Sequence, residues 1–202
     1  MVEIRPYRDG DAAAVADICV RTGYEGGDSR QRYPDLDLLP SIFALPYAAF
    51  EPDLAFVADD GSRAVGYILG TADTAAFVRR FRAEWLPALA DRYPPPPPRP
   101  PATPAEEMVV LMHTPERMIV PELAGYPAHL HIDLLPEYQR AGLGRALMTR
   151  FLAALAASDV PAVHLGMVAT NTAARKFYDR MGFHEIPVPD PGPLVYLGRA
   201  TS

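Results

Sequence analysis

Between His129 and Arg150 the chain reads HLHIDLLPEYQRAGLGRALMTR. This stretch constrains the fold more than any other. His129 to Leu135 alternates polar with aliphatic residues, the pattern of a strand, and Pro136-Glu137 ends it. Gln139-Arg140-Ala141-Gly142-Leu143-Gly144 then makes a glycine-containing turn. Leu143, Leu147, Phe151 and Leu155 follow at helical spacing, with Met148 and Leu152 beside them. A glycine turn that opens a helix directly after a strand is an anion site. The first helix amides have no internal partners, the helix dipole adds positive potential, and glycine lets a ligand approach the backbone. The sequence therefore predicts a phosphate or pyrophosphate cradle over Gln139–Arg145. A dinucleotide fingerprint would need a third glycine where Leu147 stands, and a P-loop would need Gly-Lys-Ser/Thr where Arg145-Ala146 follow.

A net charge of −6 argues against nucleic acid and anionic membranes as partners, since both select basic surfaces. Cys19 is the only cysteine, which rules out an intrachain disulfide and a thiolate metal cluster. Early charges (Glu3, Arg5, Arg8, Asp9) break any apolar leader, and no apolar run is long enough to span a bilayer. A soluble cytoplasmic protein is expected. Lys176 is the only lysine among many arginines, prolines and alanines, which fits a GC-rich bacterial coding sequence.

The 202 residues suit one domain, 1–202, with an insertion over 74–126. Val2 to Arg5 reads as a strand, and Asp9 as the cap of a helix carrying Val15, Ile18 and Cys19 and ending at Gly23. A second helical pattern over Leu36–Phe50 is broken by Pro46. Leu54–Ala58 and Ala64–Thr71 form a hairpin about Asp59-Asp60-Gly61-Ser62. The insertion begins with a helix over Thr74–Arg92 that Pro87 should bend. The proline run from Pro94 to Pro98 reads as a stiff spacer rather than an SH3-type ligand, and Thr103-Pro104-Ala105-Glu106 opens another helix with a capping box. The insertion holds helices and no strand, as a lid or wall over a site would. Trp85, Tyr93 and Tyr126, with Tyr24 and Tyr33, are candidates for the wall of an acceptor pocket. Beyond the central helix come a strand (Val163–Val168), a helix capped by Asn171 and stopped at Gly182, and two closing strands.

Two motifs carry a resemblance. Gln139-x-x-Gly142-x-Gly144, between strand and helix, and Asn171-x-x-Ala174-x-x-Phe177-Tyr178-x-x-x-Gly182-Phe183 resemble the signatures of the GNAT superfamily of acyl-CoA N-acyltransferases. Both stand in that family's order, and the resemblance covers the chain outside 74–126. PAHLHIDLLPEYQ, the long insertion and the final LGR are similar, more specifically, to the acetyltransferase-like C-terminal domain of eukaryotic O-GlcNAcase and its bacterial stand-alone relatives. The eukaryotic domain lacks the glycine signature and is thought to be a pseudo-enzyme; Gln139, Gly142 and Gly144 are kept here.

The resemblance implies an α/β acyl-CoA N-acyltransferase fold, a mixed twisted sheet with helices on both faces. It implies acetyl-CoA as cosubstrate, its pantetheine paired with the backbone of Leu134 and Leu135 and its pyrophosphate on residues Gln139, Arg140, Ala141, Gly142, Leu143, Gly144 and Arg145. Asn171 would touch the pantetheine arm and Tyr178 would protonate the leaving thiolate. The acceptor would be a small-molecule or peptide amine, acylated by direct attack, since Cys19 lies outside both motifs. The alternatives are a catalytically weak or inactive CoA-binding module that recognises a protein or peptide, and transfer to a hydroxyl.

His129, His131 and Asp133 share one face of the central strand by alternation, where a central strand is normally apolar on both sides. Such a face suggests a lined cavity. Asp133 can bind or deprotonate an ammonium, and His129 or His131 can act as base or hold Asp133. A structural hydrogen-bond network explains the same residues equally well. A metal reading of His-x-His-x-Asp is disfavoured, because the resembled family needs none. The sequence leaves the acceptor and the oligomeric state open, a homodimer among the options.

Overall fold

The computed structural model describes residues 2–202. Seven strands form one sheet in the order β1-β2-β3-β4-β5-β7-β6. They are β1 (Glu3–Pro6), β2 (Ala55–Asp59), β3 (Ala64–Thr71), β4 (Ala128–Leu134), β5 (Ala162–Val168), β6 (His184–Ile186) and β7 (Leu194–Ala200). Every pairing is antiparallel except β4 with β5. That parallel pairing is two residue pairs long, Ala128 with Val163 and His129 with His164, after which the strands part. The helices are α1 (Ala12–Thr22), α2 (Pro40–Phe43), α3 (Leu45–Phe50), α4 (Thr74–Arg80), α5 (Leu86–Leu89), α6 (Pro104–Met112), α7 (Leu143–Ala157) and α8 (Thr172–Arg180). β3 is buried at all eight positions because α1 and α3 cover one face and α7 the other. Among the described residues, no helix is long and apolar enough to cross a membrane.

Local chemistry sets the element boundaries. Asn171 Oδ1 accepts from the Ala174 amide at 3.0 Å, and Thr103 caps α6 through the Glu106 amide. The Glu106 carboxylate does not close a box on Thr103; it accepts from the Ala102 amide at 2.7 Å and pairs with Arg99. Asp9 is not a helix cap. Residues 9–11 form a 3₁₀ turn, and Asp11 accepts from the Arg8 amide at 2.8 Å and from both Nη atoms of Arg5 at 2.7 Å. An arginine fork outcompetes a simple cap there. Around Pro87 a π-helical segment, Phe81–Trp85, joins α4 to α5, and the Leu86 amide bonds to the Phe81 carbonyl. The widened turn contains Ala83, the residue that a proline at 87 denies its usual donor. The proline run lies along α6, sharing a groove of about 210 Å³ with Val109 and Val110.

Candidate active site

The parting of β4 from β5 opens a cleft of about 620 Å³. Which strand atoms face it follows from register. The Leu135 amide bonds to the Val65 carbonyl at 3.0 Å, which makes Leu135–Val65 a hydrogen-bonded pair of the β3–β4 ladder. By alternation Asp133, His131 and His129 also point their backbone groups at β3, while Ile132 and Leu134 turn theirs to the open edge. The edge for an extended ligand is therefore Ile132 and Leu134, both of which line the cleft. Leu135, expected to share this task, is fully buried with its amide committed to Val65.

The turn closes one end of the cleft. Arg140 and Gly142 have φ of +63° and +81°, left-handed values that swing successive amides toward one side. Leu143, Gly144 and Arg145 are the first three residues of α7, so their amides lack helical acceptors. The two glycines serve different ends. Gly142 supplies the positive φ and has open space around it, whereas a Cβ on Gly144 would lie 3.3 Å from the Phe177 ring and 3.4 Å from Leu134. Gln139 donates from Nε2 to the Leu134 carbonyl at 3.0 Å, tying turn to strand. Gln139, Arg140, Gly142, Gly144 and Arg145 line the cleft; Ala141 and Leu143 belong to the turn but do not line it. Lys176 and Arg180, one turn apart on α8, line it too. None of Arg140, Arg145, Lys176 and Arg180 forms an ion pair among the described residues, although the chain is acidic overall. Sequence reasoning missed the α8 pair, because only the packing of α8 beside α7 brings it to the turn.

Asp133 and Tyr178 both line the cleft. Asp133 Oδ2 accepts from the Tyr67 hydroxyl at 2.7 Å. Burial raises its pKa to about 6, against the lowering effect of that hydrogen bond and of one from Thr22. Tyr178 is buried against Phe177 and Phe183, and burial, with the Asp133 charge, holds its phenol protonated far above the ordinary range. Its hydroxyl has no protein partner. No fully buried polar side-chain atom among the described residues is unpaired, so that hydroxyl opens to the cleft.

The two histidines take a different position. His129 is buried, with Nδ1 2.8 Å from Thr74 Oγ1 and Nε2 2.8 Å from the Tyr47 hydroxyl. Thr74 Oγ1 also lies 2.8 Å from the Pro127 carbonyl, which can only accept. The threonine proton therefore goes to Pro127, His129 donates from Nδ1, and Tyr47 donates to His129 Nε2. Tyr47 oxygen is left to accept from His131 Nε2 at 3.2 Å, which leaves Nδ1 of His131 with the lone pair. His129 has no free nitrogen, and neither histidine lines the cleft. Asp133, unlike His129 and His131, shares the lining of the cleft with Tyr178. His129 is a structural residue, and burial keeps it neutral far below the ordinary histidine range.

The expected aromatic wall does not form at this cleft. Trp85 donates to the Ser41 carbonyl at 2.8 Å, Tyr93 is buried with its hydroxyl on Asp35, and Tyr33 is buried. Tyr126 reaches His184, and Tyr24 is exposed. Four-residue aromatic spacing here packs a core. No residue of 74–126 lines the cleft.

A strand parting from its parallel neighbour, a helix amide turn at one end, and a carboxylate and a phenol in the lining make up this cleft. The chain contains a GNAT acetyltransferase domain. The profile described as "Acetyltransferase (GNAT) domain" matches residues 113–185. The crystal structure of SsHAT superposes with a TM-score of 0.96 at 60% identity, covering 100% of this chain and 98% of that one. Protein O-GlcNAcase of Rattus norvegicus is 26% identical over 98% of this chain, which spans only 22% of that protein's length. A putative acetyltransferase, yncA, from Salmonella typhimurium, solved with its cofactor acetyl-CoA, shares the fold at a TM-score of 0.57 and 14% identity over 100% of this chain and 94% of that one.

Proposed function

We propose that this chain transfers an acetyl group from acetyl-CoA to a primary amine by direct attack of the amine on the thioester. The observation that carries the reading is the cleft itself: four unpaired cations line it beside a turn with three free helix amides, and Asp133 and Tyr178 share the same lining. That charge distribution suits a polyanionic cosubstrate. Arg140, Arg145, Lys176 and Arg180 would hold its phosphates with the amides of Leu143–Arg145. Ile132 and Leu134 would pair with the pantetheine amides, and Asn171 borders the same path.

Two proton transfers are then required. Asp133, with a pKa of about 6, is a carboxylate at neutral pH and takes a proton from the incoming ammonium. Tyr67 keeps it oriented. Tyr178, held protonated, gives its proton to the departing thiolate. Thiol release on a panel of amines and peptides tests the reading. Turnover that falls about 100-fold in Tyr178→Phe supports it. Acetyl-CoA binding with no turnover on any acceptor would instead favour a binding module.

A further inference from the structure

Beyond the cleft, one arginine acts on the polar face of β4. Arg117 lies in the 3₁₀ turn Pro115–Met118, and its charge acts on His129 and His131. Two contacts fix that turn: Met118 Sδ sits 3.9 Å from the Tyr47 hydroxyl, and Glu116 pairs with Arg82. Glu116 is thereby withdrawn from its neighbour. Arg117 is half-buried, yet among the described residues no carboxylate lies within ion-pair distance. Its one hydrogen bond among the described residues is long, 3.4 Å from Nη1 to the Thr114 carbonyl. Its electrostatic neighbours are two phenols, Tyr47 and Tyr196, and the neutral imidazoles of His129 and His131.

A guanidinium partly withdrawn from water is normally paired with an anion. Here the partner is missing, while Nε and Nη2 carry no bond and, by the absence of unpaired buried polar atoms, are reachable. His131 and Asp133 are two residues apart on one face, roughly 7 Å along a strand. We propose that Arg117 binds an anionic group of the acceptor, so that the acceptor is an amine bearing a carboxylate a few bonds from its nitrogen. This rests on Asp133 receiving the acceptor nitrogen, as proposed above. The carboxylate would pair with Arg117 while the ammonium meets Asp133, and His131, two residues from Asp133 on the same strand face, would have its Nδ1 lone pair available to accept an N–H. Arg117 is then a specificity-determining residue.

The test compares matched acceptors: glycine, β-alanine, 4-aminobutyrate and 5-aminovalerate against methylamine, ethylamine, propylamine and butylamine. With acetyl-CoA saturating, at least one amino acid should exceed its alkylamine about tenfold or more in kcat/KM. Arg117→Gln should bring that ratio close to one, and Arg117→Lys should retain part of it. Unchanged acetyl-CoA affinity in both variants controls for folding. Equal turnover of the two series, or the same proportional loss on both in Arg117→Gln, overturns the proposal. If neither series turns over, titration of 4-aminobutyrate and 5-aminovalerate into the CoA-loaded protein decides it. Binding lost in Arg117→Gln keeps the anion site while the catalytic reading falls. No binding of either removes the site.

Discussion

Tyr67, on β3, donates its hydroxyl to Asp133 across the β3–β4 ladder at 2.7 Å. The bond stabilises the carboxylate form and opposes the desolvation that raises the Asp133 pKa to about 6. The kcat/KM profile should therefore show an acidic limb near pH 6. Tyr67→Phe should move that limb upward by about one pH unit, the worth of one hydrogen bond to a charged group. A limb that stays in place would show that Asp133 is not the group being read.

Asp133 should also cost stability. Its folded pKa lies above the unfolded value of 3.8, so the folded state binds the proton more tightly. The penalty is absent below pH 4, develops between pH 4 and 6, and is complete above. Asp133→Asn should raise stability at pH 8 by on the order of 1–2 kcal/mol, discounted for partial exposure, while lowering kcat at least 100-fold. Urea unfolding at pH 8 and pH 4 checks this: the gain should vanish at the lower pH.

Three histidines of the sheet act in the opposite sense. His129, His131 and His164 all have pKa values lowered by burial, His131 to about 4. The unfolded chain takes up protons near pH 6.5 that these rings refuse, so stability falls as pH drops below about 6.5. Each ring contributes up to about 1.4 kcal/mol per pH unit, with Asp133 offsetting one. His129→Leu should take away the acceptor of the Tyr47 hydroxyl and the donor to Thr74 Oγ1 and destabilise by about 2–3 kcal/mol, yet leave the acidic limb of kcat/KM near pH 6. A shifted limb would return His129 to the chemistry.

The glycines should separate by mechanism. Gly142→Ala forces a side chain into φ +81° without a clash, costing about 1 kcal/mol of stability. Gly144→Ala meets the Phe177 ring at 3.3 Å instead, which presses α8 away from α7. Both should weaken acetyl-CoA binding. Only the second should be relieved by Phe177→Leu, in a calorimetric comparison of the single and double variants.

Much of this was legible in the chain. The Asp59–Ser62 hairpin, the Thr103 and Asn171 caps and the glycine turn are local, each written within six residues, and each forms where expected. The fold followed from their order. The site was less legible because its partners are distant in sequence. Tyr47 reaches His129 across 82 positions, and nothing near His129 announces that both its nitrogens are occupied. Leu135 and Leu134 look alike in sequence. Only the β3 register, fixed by the Val65 bond, shows which of them faces the open edge. Lys176 and Arg180 read as an ordinary solvated helix face until α8 is placed beside the turn.

The most direct test of the cleft is calorimetric titration of acetyl-CoA into the wild-type chain and into the Lys176→Ala/Arg180→Ala variant. Saturable one-to-one binding is predicted, weakened about tenfold in the variant and increasingly similar between the two as salt rises. No heat at millimolar acetyl-CoA, or equal affinity in both proteins at low salt, would contradict the assignment of this cleft.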